Sequence, residues 1–250
     1  MLEEDNTIIS FESPIGLHDL VMGEKNAAPD LERPIDKQQF HIRLANSQSR
    51  REKASLLIKK MYAWRNYAVD PSSADPMNKI MLFAETGGMT VGTMSLCFDD
   101  EDIAIGLPAD ENFRDKLDEL RQQGRRLCEP SRLAIDKGVS KRVFAALIHI
   151  SYIYAHNIHG YTDYVIEVNP RHVMFYKRML GFRDFGGERH CTRVGALAVL
   201  LRLELDYMKE QIRKFGGMME SNNAERSFYP FFFPILDEQG ITCRLQEGRN

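Results

Sequence analysis

Leu127-Cys128-Glu129-Pro130-Ser131-Arg132-Leu133-Ala134-Ile135-Asp136 is the stretch that decides how this chain folds. Its apolar residues read as a buried strand, yet a carboxylate, a proline, a hydroxyl and a guanidinium stand at its mouth. Pro130 lacks a ladder donor, so a proline inside a central strand predicts a bulge or an interruption in pairing. Downstream, Val143, Phe144, Leu147, Ile150, Ser151, Tyr154 and Ile158 mark one face of a helix from Lys141 to about His159, with Gly160 as its stop. A strand over Tyr164–Val168, the pair Asn169-Pro170 and a short helix from Arg171 to Leu180 complete a βαβα unit. An apolar strand follows over Val194–Leu205, then a polar helix near 206–214 and the aromatic tail Phe228-Tyr229-Pro230-Phe231-Phe232-Phe233-Pro234.

Upstream, residues 1 to 37 carry Pro14, Pro29 and Pro34 without a sustained period and read as an N-terminal extension. Alternation at Phe40, Ile42 and Leu44 predicts a first strand, and Ala54, Leu57, Ile58 and Met61 predict a helix running from about Ser49 to Tyr67. A proline-rich loop spans 69–76. Ile80–Glu85, the turn Gly87-Gly88 and Val91–Phe98 make a hairpin. An acidic loop leads to a charged, solvent-facing helix over about 111–123. The succession is a mixed-sheet α/β architecture in one domain, 38–236, followed by a tail over 237–250.

Hydrophobic residues at 43% and charged residues at 28% suit a globular chain, and 250 residues bury a sizeable core. The net charge of −3 argues against a dedicated nucleic-acid binder. Cys97, Cys128, Cys191 and Cys243 lack any CxxC or Cys/His spacing, so free thiols are expected, not a disulfide framework or a zinc site. His149, His156 and His159 only partly share a helix face, and no metal site is expected there. No apolar run reaches membrane-spanning length, and the acidic start is unlike a secretory signal; a cytoplasmic setting is expected.

The element order together with Phe175-Tyr176-Lys177-Arg178-Met179-Leu180-Gly181-Phe182 resembles the GNAT N-acyltransferase superfamily, with its Tyr-x-x-x-Gly-Phe ending. Glu129-Pro130-Ser131-Arg132 is similar to the Glu-x-Ser-Arg strand of the acyl-homoserine-lactone synthases. With Ala198-Val199-Leu200-Leu201-Arg202 and the aromatic tail, the whole is most similar to FeeM-type N-acyl amino acid synthases, over roughly residues 40 to 236. The resemblance implies a GNAT-like mixed central sheet flanked by helices. It also implies transfer of a fatty acyl group from a thioester to a small amine.

One departure bears on the donor. Many acetyl-CoA-using GNAT enzymes carry an Arg/Gln-x-x-Gly-x-Gly/Ala loop whose amides cradle the pyrophosphate. Here the loop is Asp136-Lys137-Gly138-Val139-Ser140-Lys141-Arg142, with a single glycine. A phosphopantetheine arm on acyl carrier protein has one phosphodiester and asks less of the loop. Lys137, Lys141 and Arg142 suit an acidic carrier surface, with Gly138, Asn169 and Arg171 as further pantetheine-side candidates. No permanently bound cofactor is expected, and CoA is the less favoured donor.

N-acylation needs a neutral amine, whereas an α-amino group has a pKa of roughly 8. Glu129 is the candidate general base, accompanied on its strand by Ser131 and Arg132. Burial raises its pKa and pairing with Arg132 lowers it; the sequence leaves the balance open. The resemblance places Tyr176 near the leaving thiol, and Trp64 and Arg65 in an aromatic and basic loop over the acceptor, with Arg65 shaped for a carboxylate. Bland alternatives stand beside these readings: a solvated surface turn at 129–132, and aromatic packing for Tyr176 and Trp64. For the aromatic tail, core packing is expected. Two rival functions remain, lactone synthesis from S-adenosylmethionine and a non-catalytic carrier- or lipid-binding sensor.

Overall fold

The computed structural model describes residues 7–14, 37–45, 48–64, 78–99, 106–136, 138–219 and 225–248. The elements run β1 (Thr7–Pro14), β2 (Lys37–Leu44), α1 (Gln48–Trp64), β3 (Lys79–Thr86), β4 (Met89–Phe98), α2 (Asp110–Gln122) and β5 (Leu127–Ile135). They continue with α3 (Lys141–Tyr152), a π-helical turn (Ile153–Ile158), β6 (Asp163–Val168) and a short 3-10 turn (Pro170–His172). Next come α4 (Val173–Leu180), β7 (Arg183–Cys191), β8 (Ala196–Glu204) and α5 (Leu205–Phe215). A 3-10 turn at Tyr229–Phe231 precedes α6 (Ile235–Gln246). The strands form one sheet in the order β1-β2-β3-β4-β5-β6-β8-β7. Every pairing is antiparallel except β5 with β6.

Both faces of the sheet are covered, which is why β3 reads as an unbroken apolar run. Leu82 and Ala84 point to the face under α3, where Val143, Ala146, Leu147 and Ile150 complete the main core. Met81 and Phe83 point to the other face, against Ala54 of α1. Gly92 of β4 lies where α3 crosses: a Cβ there would stand 3.0 Å from Ile135 Cδ1 and 3.1 Å from Leu147 Cδ1. Gly181 closes α4 at φ +85 and is pressed by the Tyr207 ring, so the Gly-Phe ending of that helix combines a left-handed turn with a close contact.

Several sequence expectations change. Thr7–Pro14, inside the expected N-terminal extension, is a strand paired with β2; Ile8 and Phe11 are buried in the main core. The stretch 183–191 was not expected to form a strand, because its polar residues hide the period, yet it is β7 at the far edge. The helix expected to face solvent, α2, buries Phe113, Leu117 and Leu120 against Leu127, Val165 and Leu200. Its apolar stripe at i, i+4 and i+7 sits inside a strongly charged composition that masks it. The expected tail 237–250 contains most of α6, which packs on β1 and the π-helical turn.

The aromatic tail is core, as expected: Phe228, Tyr229, Phe232 and Phe233 are all buried. Tyr229 donates its hydroxyl to the Leu180 carbonyl at 2.6 Å. His149, fully buried, accepts from the Phe233 N–H at Nδ1 (3.0 Å), so its proton sits on Nε2, 3.0 Å from Glu238. Burial lowers the pKa of His149 despite this carboxylate. The three expected helix histidines are thus divided between this structural pair and more exposed positions. Among the described residues no cluster of three or more His, Cys, Asp or Glu side chains is arranged to hold a metal ion. None of the described helices is long and apolar enough to cross a membrane.

Candidate active site

The site is built where β5 and β6 part. These strands pair only at Leu127↔Asp163 and Cys128↔Tyr164. Beyond that point β5 follows β4 as far as Ile135↔Gly92, while β6 follows β8 as far as Val168↔Val199. The Leu127 carbonyl accepts from Asp99 N at 3.0 Å and so faces β4. By strand alternation the backbone of Pro130 then faces β6, into the opening. Pro130 stays in register with Leu96 of β4, so it does not break that ladder; its missing N–H falls where β5 has no partner.

The bulge lies two residues further on. Between Ser131↔Ser95 and Ala134↔Thr93, Arg132 and Leu133 of β5 stand opposite Met94 alone. Arg132 takes φ +50, and among the described residues it is the one non-glycine with positive φ. A left-handed L-residue costs roughly 1–2 kcal/mol, so the strand carries local strain beside its charged cluster.

Glu129 shares its sheet face with Leu127, under α2. It is buried, and its Oε2 accepts from the Ala109 N–H at 2.8 Å. That N–H belongs to a rigid turn. Asp110 Oδ2 accepts from Leu107 N, and Arg121 ties Asp110 to Asp99 and Asp118. Burial pushes the Glu129 carboxyl up from 4.5 to about 8; the Ala109 N–H and Arg193 pull it down, and Glu167 and Asp110 push it further up. The cation acting most on Glu129 is therefore Arg193, not its strand neighbour Arg132.

Around Glu129 stand groups the sequence reading missed. Glu167 of β6 lies on the same face, two residues after Val165, which packs with Leu127. Its Oε1 accepts from Asn112 Nδ2 at 2.7 Å and its Oε2 from Arg193 Nη2. The acidic residues at alternate positions of β6, Asp163 and Glu167, were a legible signal; Arg193 sits in a turn and gave none. Cys97 faces Glu129 across the β4–β5 ladder, and its Sγ lies 3.9 Å from Ser131 Oγ. Burial and the Glu129 charge push its thiol up to about 11, so it stays protonated at neutral pH and is poorly suited to act as a nucleophile.

The remaining candidates are dispersed. Lys141 opens α3. Arg142, expected to face a carrier, donates to the Glu12 carbonyl at 2.9 Å and covers the Phe11 ring, tying α3 to β1. Gly138 is exposed with φ +81. Asn169 caps the turn after β6 by accepting from Arg171 N at 3.2 Å, and Arg171 meets His172. Tyr176 sits on α4 across the sheet, edge-on to Phe175 and Phe182. Trp64 ends α1; its side chain, Lys137 and Arg65 lie outside the described residues.

A strand pair that opens over a buried carboxylate is the feature to set beside known proteins. The model of the family described as N-acyl amino acid synthase FeeM matches residues 53–204. The chain belongs to the FeeM family. The solved structure of FeeM, an N-acyl amino acid synthase from uncultured soil microbes, is 26% identical with a TM-score of 0.62, covering 68% of this chain and 93% of that one. AHL synthase LasI is 15% identical at TM-score 0.45, over 67% and 91% of the two chains. An aminoglycoside N(6')-acetyltransferase of Legionella pneumophila is 13% identical at 0.47, over 69% and 95%. No curated protein sequence matches the chain. This member of the FeeM family has the mixed central sheet flanked by helices expected from its sequence, and it is an N-acyltransferase.

Proposed function

We propose that this FeeM-family protein moves a medium or long fatty acyl group from an acyl carrier protein thioester to the α-amine of an amino acid or similar small amine, with Glu129 as general base. The observation carrying this reading is the buried Glu129 carboxylate at the point where β5 and β6 part. The pantetheine arm enters the opening as a pseudo-strand against the unpaired edge of β5. The acceptor amine then attacks the thioester carbon from the α2 face. Its proton passes to the Glu129 carboxylate, and the C–S bond breaks to release the pantetheine thiol, with Tyr176 as the proposed proton donor to the departing sulfur. Backbone N–H groups near the bulge meet the developing oxyanion. Ser131 and Arg132 line this approach.

A base with a pKa of about 8 has a useful ionised fraction at neutral pH and a strong pull on a proton. On the donor side, Lys141, Lys137, Gly138, Asn169 and Arg171 are proposed to meet the carrier and its phosphate. Arg142 is the weakest of that group, because the Glu12 carbonyl holds it. Trp64 and Arg65 are assigned to the acceptor. A carrier-linked donor fits the single-glycine loop better than CoA does, and a cytoplasmic setting goes with that partner.

The test pairs long-chain acyl carrier protein and the matching acyl-CoA with an amino-acid mixture, reading thiol release and N-acyl product by mass spectrometry. Product is expected with the carrier, and Glu129→Gln should lose at least about 100-fold in turnover while still binding the carrier. Wild-type turnover in that variant would overturn the role of Glu129. Product that needs S-adenosylmethionine would shift the function to lactone synthesis, and binding without turnover would make the protein a sensor.

A further inference from the structure

A latch joins the β7–β8 turn to α2 beside Glu129. Arg189 pairs with Asp115 at 2.6 and 2.8 Å and also donates to the Asn112 carbonyl at 2.6 Å. Thr192 donates to Glu111, and Arg193 Nε lies 3.1 Å from the other oxygen of Glu111. The Arg193 guanidinium then reaches inward to Glu167, whose side chain is almost fully buried. Asn112 and Arg193 thus hold Glu167 on the wall across the opening from Glu129.

We infer that Arg193 and Glu167 are positioning residues that set the charge of Glu129 with opposite signs, the guanidinium favouring its ionised form and the carboxylate its protonated form. The inference deepens the proposed role of Glu129 and rests on that reading for its catalytic meaning. The other groups facing Glu129 are Cys97 from β4 and Asp110 from α2. Asp110 is offset by Arg121 at 2.7 Å, and Cys97 is uncharged at neutral pH. On α1, which packs along β5, Lys60 is paired with Asp136 at 3.1 Å, at the far end of the strand. The pair on β6 and the β7–β8 turn is thus the adjustable part of the field. Burial works against the charge on Arg193, and Glu167 and Glu129 together raise its pKa over that cost.

Two readouts on the full-length protein separate this inference from the function it serves. The first is a ¹³C-carboxyl NMR titration of glutamate-labelled protein, with Glu129 assigned by its missing signal in Glu129→Gln. Arg193→Met should move the Glu129 midpoint up, and Glu167→Gln should move it down, each by about one pH unit. Arg193→Lys should restore most of the wild-type midpoint, and the double variant should return close to it. The second is the pH profile of kcat/KM, taken with two acceptors of different amine pKa so that the enzyme's limb is told from the substrate's. It should shift in the same directions. Unshifted midpoints, or shifts of the same sign in both single variants, would overturn the inference; a general fall in activity at all pH values is what a purely structural latch would give. NMR shifts of opposite sign with an unmoved rate profile would uphold the charge-setting pair and reject Glu129 as the base. Should Arg193→Met not fold, Arg193→Gln removes the same charge with a polar side chain and, with the isosteric Glu167→Gln, still carries the sign test.

Discussion

Asp163 and Glu129 are both buried carboxylates on the β5–β6 pair, yet their surroundings are opposite. Asp163 lies where the strands still pair. It accepts from Arg125 Nε at 2.5 Å, Arg202 Nε at 2.8 Å and Thr162 Oγ1 at 2.6 Å. Glu129, two residues along β5 from Leu127, has one backbone N–H and a cation shared with Glu167 and Glu111. The first is saturated by two guanidinium groups and a hydroxyl. The second is desolvated with little in return, so its proton is poised to come and go near neutral pH.

The contrast is most exposed to Asp163→Asn. Removing that charge leaves two partly buried guanidinium groups without their shared partner, and a loss of about 3–5 kcal/mol is expected in denaturant unfolding. A loss near zero would mean that Asp163 is no more built into the fold than Glu129. Glu129→Gln should behave in the reverse sense. The folded pKa of about 8 lies above the ordinary 4.5, so folding favours the protonated form. That contribution is whole below about pH 4.5 and is lost as pH rises through about 8. The unfolding free energy of Glu129→Gln should therefore gain on the parent across that window, by an amount on the order of a few kcal/mol, and level off above it. A gap independent of pH would contradict the raised pKa.

Smaller effects sharpen the same contrast. Arg132→Gly and Arg132→Ala both lose the side chain, so comparing them isolates the left-handed backbone at the bulge. Glycine should be the more stable by about 1–2 kcal/mol, and equal stabilities would remove the strain from the site. At the far end of β5, Lys60→Met breaks an exposed pair with Asp136 and should cost no more than about 1 kcal/mol.

Local chemistry was legible in the chain. The strand 127–136, the helix after it, the Gly-Phe ending of α4 and the burial of the aromatic tail follow from period, turn residues and apolar content. Glu129 stood out because a carboxylate at the head of a buried strand needs a reason. Residues 7–14 and 183–191 were missed because their strands sit at or beside an edge, where polar side chains blur the alternation. The exposed reading of α2 failed because three apolar residues were outnumbered by charges.

Periodicity and residue chemistry alone give the order of elements and the presence of an acid beside a proline and an arginine on one strand. Which cation faces Glu129 depends instead on how the strands and turns are brought together. Arg132 is three residues away in the chain but sits at a bulge, whereas Arg193 is brought in from a turn by Glu111 and Glu167. Charge acts through space, and the chain order carries no measure of that distance.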